Sequence, residues 1–189
     1  MKFQISSFCA ALLLCGCLTR QHDHFHMLDV QPAGPAASRS QFNRQVTVQV
    51  TVPSMVDRGE MVLMTSSGVS ILDHERWAAP LADLVTATLG QDIERRRSDV
   101  VVLPRSANHA GIPLIRMMVE IDRVTARFGA PVTMETHWRI TDAASGRETL
   151  GRDLFASPQQ PQSYSEIAAA LSACVALLAE RLAAEIPAG

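Results

Sequence analysis

The chain has 189 residues, 47% of them hydrophobic, enough to bury a sizeable core in one domain. Its 17 basic residues face 19 acidic ones, for a net charge of −2, and Arg95-Arg96-Arg97 is the only basic run. A nucleic-acid binder carries a clustered basic face, so that class is set aside, and the arginine run reads as a solvated helix C-terminus matched to the helix dipole.

Lys2, the only lysine, precedes the apolar run Phe8–Leu14. That run is far shorter than the roughly 20 residues a membrane span needs. A positive end, a short apolar core and small residues make residues 1–16 an export signal. Leu14-Cys15-Gly16-Cys17 resembles the lipobox of bacterial lipoproteins, which implies cleavage before Cys17 and acylation of its thiol. Two or three acyl chains anchor a protein stably, whereas one does not. Leu18 follows, not the Asp that retains Gram-negative lipoproteins at the inner membrane, so the resemblance implies the outer membrane. Cys9 and Cys15 leave with the signal, which also removes Lys2, so 16 basic residues remain against 19 acidic ones and the net charge becomes −3. Cys174 is then left without an intramolecular partner. The mature domain must hold itself together by its core.

Residues 17–24 read as lipid anchor and tether, and residues 25–187 as one domain with no further membrane span. Phe25–Val30 is a short first strand, followed by a Pro/Gly/Ala/Ser loop over 31–40. Gln45–Val52 alternates without a break and stops at Pro53, the clearest strand in the chain. Short strands are expected at Met61–Thr65 and Val69–Leu72, with a turn at Ser66-Ser67-Gly68. From about Trp77 to Arg97 the period becomes helical, with Leu81, Leu84, Val85, Thr88, Leu89 and Ile93 on one stripe. Pro80 suits its first turn. Val100–Leu103 is an unbroken apolar run of the kind a buried strand shows, and strand, helix and strand in order imply a parallel crossover. Leu114–Thr125, Val132–Thr141 and Thr149–Phe155 then form a meander. A last helix over Tyr164–Ile186 opens on the capping-box spacing of Ser163 and Glu166. Its apolar stripe includes Cys174, which is therefore a core residue. Since the strands carry one apolar and one polar face, the expected fold is α/β, a mixed sheet with both helices packed on one face as a two-layer sandwich.

Several short motifs resemble the PqiC/YmbA lipoproteins, the ABC-type transport auxiliary lipoprotein components, over nearly the whole mature chain. They are Phe25-His-Met-Leu28, Val50-Thr-Val-Pro53-Ser-Met-Val-Asp57-Arg58, Trp77-Ala-Ala-Pro80-Leu81 and Trp138-Arg-Ile-Thr-Asp142. Met55 and His26 stand where the family has aromatic residues. The resemblance implies a non-catalytic accessory of an envelope-spanning lipid transporter. Its partners would be an MCE-domain substrate-binding subunit and an inner-membrane transporter component, with a homo-oligomer also open. No cofactor is implied, and the sequence has neither a Walker loop nor a G-x-S-x-G elbow.

Pro53, Asp57, Arg58, Trp77 and Trp138 are the candidate motif residues. Asp57-Arg58 suits a loop ion pair or turn cap better than a partner contact, and the two tryptophans suit core anchors. The competing class is a stand-alone metal-binding envelope protein. His22, His24 and His26 lie two apart, so in an extended segment their imidazoles share a side and converge on one ion. A solvated tether beside the lipid is the preferred reading of them, since no Cys or carboxylate cluster elsewhere completes a site.

Overall fold

The computed structural model describes residues 22–32, 42–65, 68–104 and 111–187. Cys17 and the expected export signal lie outside the described residues, as do Ser66 and Ser67 of the expected turn. Strand β1 (His24–His26) is followed by β2 (Arg44–Thr51), β3 (Glu60–Thr65) and β4 (Gly68–Trp77). Helix α1 (Leu81–Arg96), β5 (Val100–Leu103), β6 (Leu114–Thr125), β7 (Thr133–Asp142), β8 (Glu148–Ala156) and α2 (Tyr164–Glu185) complete the chain.

The architecture is the expected α/β single domain with mixed sheets and two helices. The larger sheet has five strands in the order β5-β2-β6-β7-β8. β2 is parallel to both neighbours, and β6, β7 and β8 form the antiparallel meander. α1 packs on β2 and β5, α2 packs on β7 and β8, and the helices pack on each other. The face they cover carries Val46, Val48 and Val50 beside Ile115, Met117, Val119 and Ile121, all buried. This is the alternation of the sequence made physical: residues two apart share a face. Gly90 sits where α1 crosses β5; a Cβ there would lie 3.1 Å from a Val102 methyl.

A second sheet, β1-β4-β3, departs from the single sheet expected. β4 runs to Trp77, well past Leu72, because Asp73, His74, Glu75 and Arg76 break the apolar pattern while His74, Glu75 and Arg76 are paired with neighbours. The helix consequently starts at Leu81, not at Trp77. The Trp77 and Ala78 amides are already committed to the Gly59 and His26 carbonyls. β5 pairs in parallel with β2 and not with β4, so the chain crosses from one sheet to the other through α1. As an edge strand, β5 buries only Val100 fully, which corrects the well-buried strand inferred from its composition.

α2 has 22 residues and meets the length and apolarity of a membrane span, in contrast to the expectation of none. It is instead a core helix, two thirds buried along its most apolar stretch. Ser163 Oγ accepts from the Glu166 amide at 3.3 Å, while Glu166 reaches the Gln162 amide at 2.8 Å. Cys174 is fully buried, its Sγ 3.4 Å from the Val132 carbonyl, and burial pushes its thiol up to about 12, so it is inert core. The arginine run does not end in solvent: the Arg97 guanidinium donates to the Ala183 and Ile186 carbonyls at the far end of α2.

Candidate functional site

The described chain begins five residues after Cys17, and the first strand is fixed to the domain. β1 lies parallel to β4, with His24, Phe25 and His26 opposite Glu75, Arg76 and Trp77. His24 and His26 share a side and converge on one carboxylate. Glu75 lies 3.1 Å from His24 Nδ1 and 2.5 Å from His26 Nε2. Burial acts to raise the Glu75 pKa, but the hydrogen bonds from His26 and His24 outweigh it and hold the carboxyl below its usual value. Across the strand, Asp23 accepts from Arg76 Nε at 2.7 Å and lies 3.3 Å from His74 Nδ1. The His74 contact, aided by Arg76, keeps Asp23 low as well.

Past β1 the chain stays attached. Leu28 is buried, the Asp29 amide donates to Ser172 Oγ on α2, and the Gln31 amide donates to Asp92 Oδ1 on α1. Asp92 is fully buried; burial pushes its carboxyl up, opposed by Arg96. Residues 22–31 thus touch β4 and both helices.

Trp77 lies against this strand, and the other motif residues hold other parts of the fold. The Pro53 carbonyl accepts from the Val56 and Asp57 amides and closes the turn after β2. Asp57 Oδ1 accepts from the Ala82 amide at 3.1 Å. It supplies the carboxylate cap that Pro80, at the N-cap with no side-chain bond, does not. Arg58 pairs with Glu60 at 2.9 Å, and Glu60 also meets Arg76. Trp77 is buried, edge-on to the His26 ring. Trp138 is separate, buried on β7 beneath α2, where its Nε1 donates to Asp153 Oδ2 at 2.7 Å. His22 is exposed. Among the described residues no group of three or more His, Cys, Asp or Glu is arranged to hold a metal ion. The histidines meet Glu75 one on each oxygen.

Asp23, Glu75 and Arg76 escaped the sequence reading. The only signal was that His22-Asp-His-Phe-His26 and Asp73-His-Glu-Arg76 have complementary charges, which means nothing until the two segments are known to pair. Glu75→Ala should loosen β1 without unfolding the domain. Faster amide exchange confined to residues 23–27, with a stability loss of about 1–3 kcal/mol for leaving the largely buried His26 ring unpaired, is the expected result. Unchanged exchange would show that backbone pairing alone secures the strand.

A second surface is the face of the five-stranded sheet away from the helices. Cross-strand rows run Gln49–Met118–Arg139–Leu150 and Thr51–Glu120–His137–Arg152. Between them lies an open groove of about 240 Å³ lined by Gln49, Thr51, Met118, Glu120, His137 and Leu150.

The family model for the ABC-type transport auxiliary lipoprotein component matches residues 26–183, from β1 almost to the end of α2. The chain belongs to that family. No curated protein matches the sequence. Two solved structures share the fold of this auxiliary lipoprotein. A crystal structure of an uncharacterized protein is 19% identical with a TM-score of 0.68, covering 88% of this chain and 100% of its own. Protein XCC0632 from Xanthomonas campestris is 12% identical with a TM-score of 0.66, covering 85% of this chain and 92% of its own. The family role is auxiliary to a transporter.

Proposed function

We propose that this auxiliary lipoprotein is acylated at Cys17, held at the outer membrane facing the periplasm, and docks an MCE-type envelope-spanning lipid transporter there without catalysing a reaction. The observation that carries the reading is the family match, which spans nearly the whole packed domain and begins within β1. The stapled β1 supports it, because force or position is transmitted from a lipid anchor to a domain only when the intervening chain is short and held. Its partners are the MCE-domain subunit and, through it, the inner-membrane component.

The test is isolation of the tagged full-length chain from detergent-solubilised envelopes. Wild-type protein is expected in the outer-membrane fraction together with an MCE-domain subunit. Cys17→Ala is expected to lose the acyl chains and leave that fraction while retaining the folded domain. Recovery of the acylated protein with no MCE-domain subunit would remove the transporter assignment, and an unmodified Cys17 in the wild type would remove the anchor.

A further inference from the structure

We propose that the β1 end of the domain rests on the bilayer, with Phe25, Met27 and Met55 inserted at the boundary between headgroups and acyl chains. The proposal rests on acylation of Cys17. Five residues' advance from Cys17 to His22 spans at most about 18 Å of extended chain, so the start of the described domain cannot stand far from the membrane surface. From Asp23 onward the chain has no slack to swing the domain away. Asp23 and His24 are already paired with Arg76 and Glu75, and Leu28 is buried.

The side chains presented there suit that neighbour. Phe25 is 66% exposed, Met27 62% and Met55 52%. Phe25 and Met27 flank His26, whose carbonyl receives the Ala78 amide, and Met55 lies in the turn leading to Gly59, whose carbonyl receives the Trp77 amide. The two segments are therefore held against consecutive residues, Trp77 and Ala78, where β4 ends. Around them stand Asp23, His24, Arg58 and Arg76, groups that remain solvated at headgroup depth. Apolar tips within a polar ring fit an interface and not the hydrocarbon centre. Two or three acyl chains already secure membrane attachment, so these residues set orientation: they hold the β1 end down and turn the open sheet face by a fixed angle.

The experiment uses the full-length acylated protein in phosphatidylethanolamine–phosphatidylglycerol vesicles. A polarity-sensitive fluorophore is placed on a single cysteine in Phe25→Cys, Met27→Cys, Met55→Cys or, as a distant comparison on β8, Leu154→Cys. Cys17 is blocked by its thioether and Cys174 is buried. With bromine on the acyl chains of the lipid, the probes at positions 25, 27 and 55 are expected to lose most of their emission, while the probe at 154 keeps its own. Acylated protein that floats with the vesicles yet shows no quenching at 25 and 27 overturns the proposal and leaves the anchor intact. Equal quenching at all four positions also overturns it, since no particular end would then face the lipid. Wild-type protein that fails to float overturns the Cys17 anchor, and the proposal with it.

Discussion

Gly151→Ala should destabilise the domain by about 3 kcal/mol, a cost within the range for overpacking a core or displacing a large aromatic side chain. Gly151 on β8 lies directly opposite Trp138 on β7, on the face the helices cover. A Cβ on residue 151 would stand 2.1 Å from the indole Cζ2 and 2.4 Å from Cε2. The indole has no free direction in which to yield. Its Nε1 is bonded to Asp153, and the Arg181 guanidinium sits 5.1 Å from the ring centroid on α2. Asp153 also pairs with Arg181, so displacing the ring loosens three groups together. At an unstrained site the same change would gain about 0.4–1 kcal/mol by stiffening the unfolded chain, so the sign of the effect is itself the test. Urea midpoints should fall for Gly151→Ala alone and recover in the Trp138→Leu background, giving a coupling of about 2 kcal/mol in the double-mutant cycle. A coupling near zero would mean that the ring is not confined by the missing Cβ.

Arg97→Ala should cost a similar amount, about 3 kcal/mol, as expected for breaking a largely buried charged pair. For a domain of this size that lowers the melting temperature by roughly 6–12 °C. Arg97 closes the last turn of α1 in sequence but acts elsewhere. It grips Asp99 with two parallel bonds of 2.8 Å and donates to the Ala183, Ile186 and Pro187 carbonyls, which end α2 and its tail. The last carbonyls of a helix have no intrahelical donor, and here a side chain from the other helix supplies one. Arg97→Lys should recover only part of the loss, since an ammonium cannot reproduce the planar fork. The Arg97 hydrogen bond, with its charge, holds the Asp99 carboxyl below its usual range. Because the folded pKa is depressed, this contribution is complete above the unfolded value of about 3.9 and is lost as pH falls through the folded value. The stability difference between wild type and Arg97→Ala should therefore be constant from neutral pH down to about 5 and narrow in the acid limb below 4. A difference that persists unchanged at lower pH would mean the carbonyls, and not Asp99, account for the effect.

Elements whose cause is local were legible in the chain alone. Gln45–Thr51 alternates because one face of β2 is buried, and α1 and α2 carry apolar stripes because each has one covered side. Ser163 can cap α2 because the spacing to the Glu166 amide is fixed within a single turn. The short motifs carried the family for the same reason: they are contiguous. The remainder depends on partners distant in sequence. Asp73–Arg76 reads as a charged loop until β1 arrives beside it with complementary groups, so neither the length of β4 nor the three-stranded sheet was legible. β5 reads as a well-buried strand because its composition records apolar contact but not position, and only its pairing with β2 alone makes it an edge. Arg97 looked solvated because its acceptors lie nearly ninety residues further on. Gly151 carried no signal, since a glycine in a strand marks an approach without naming what approaches. In each case the local pattern fixes how a segment folds, while burial and charge pairing between remote segments fix where it goes.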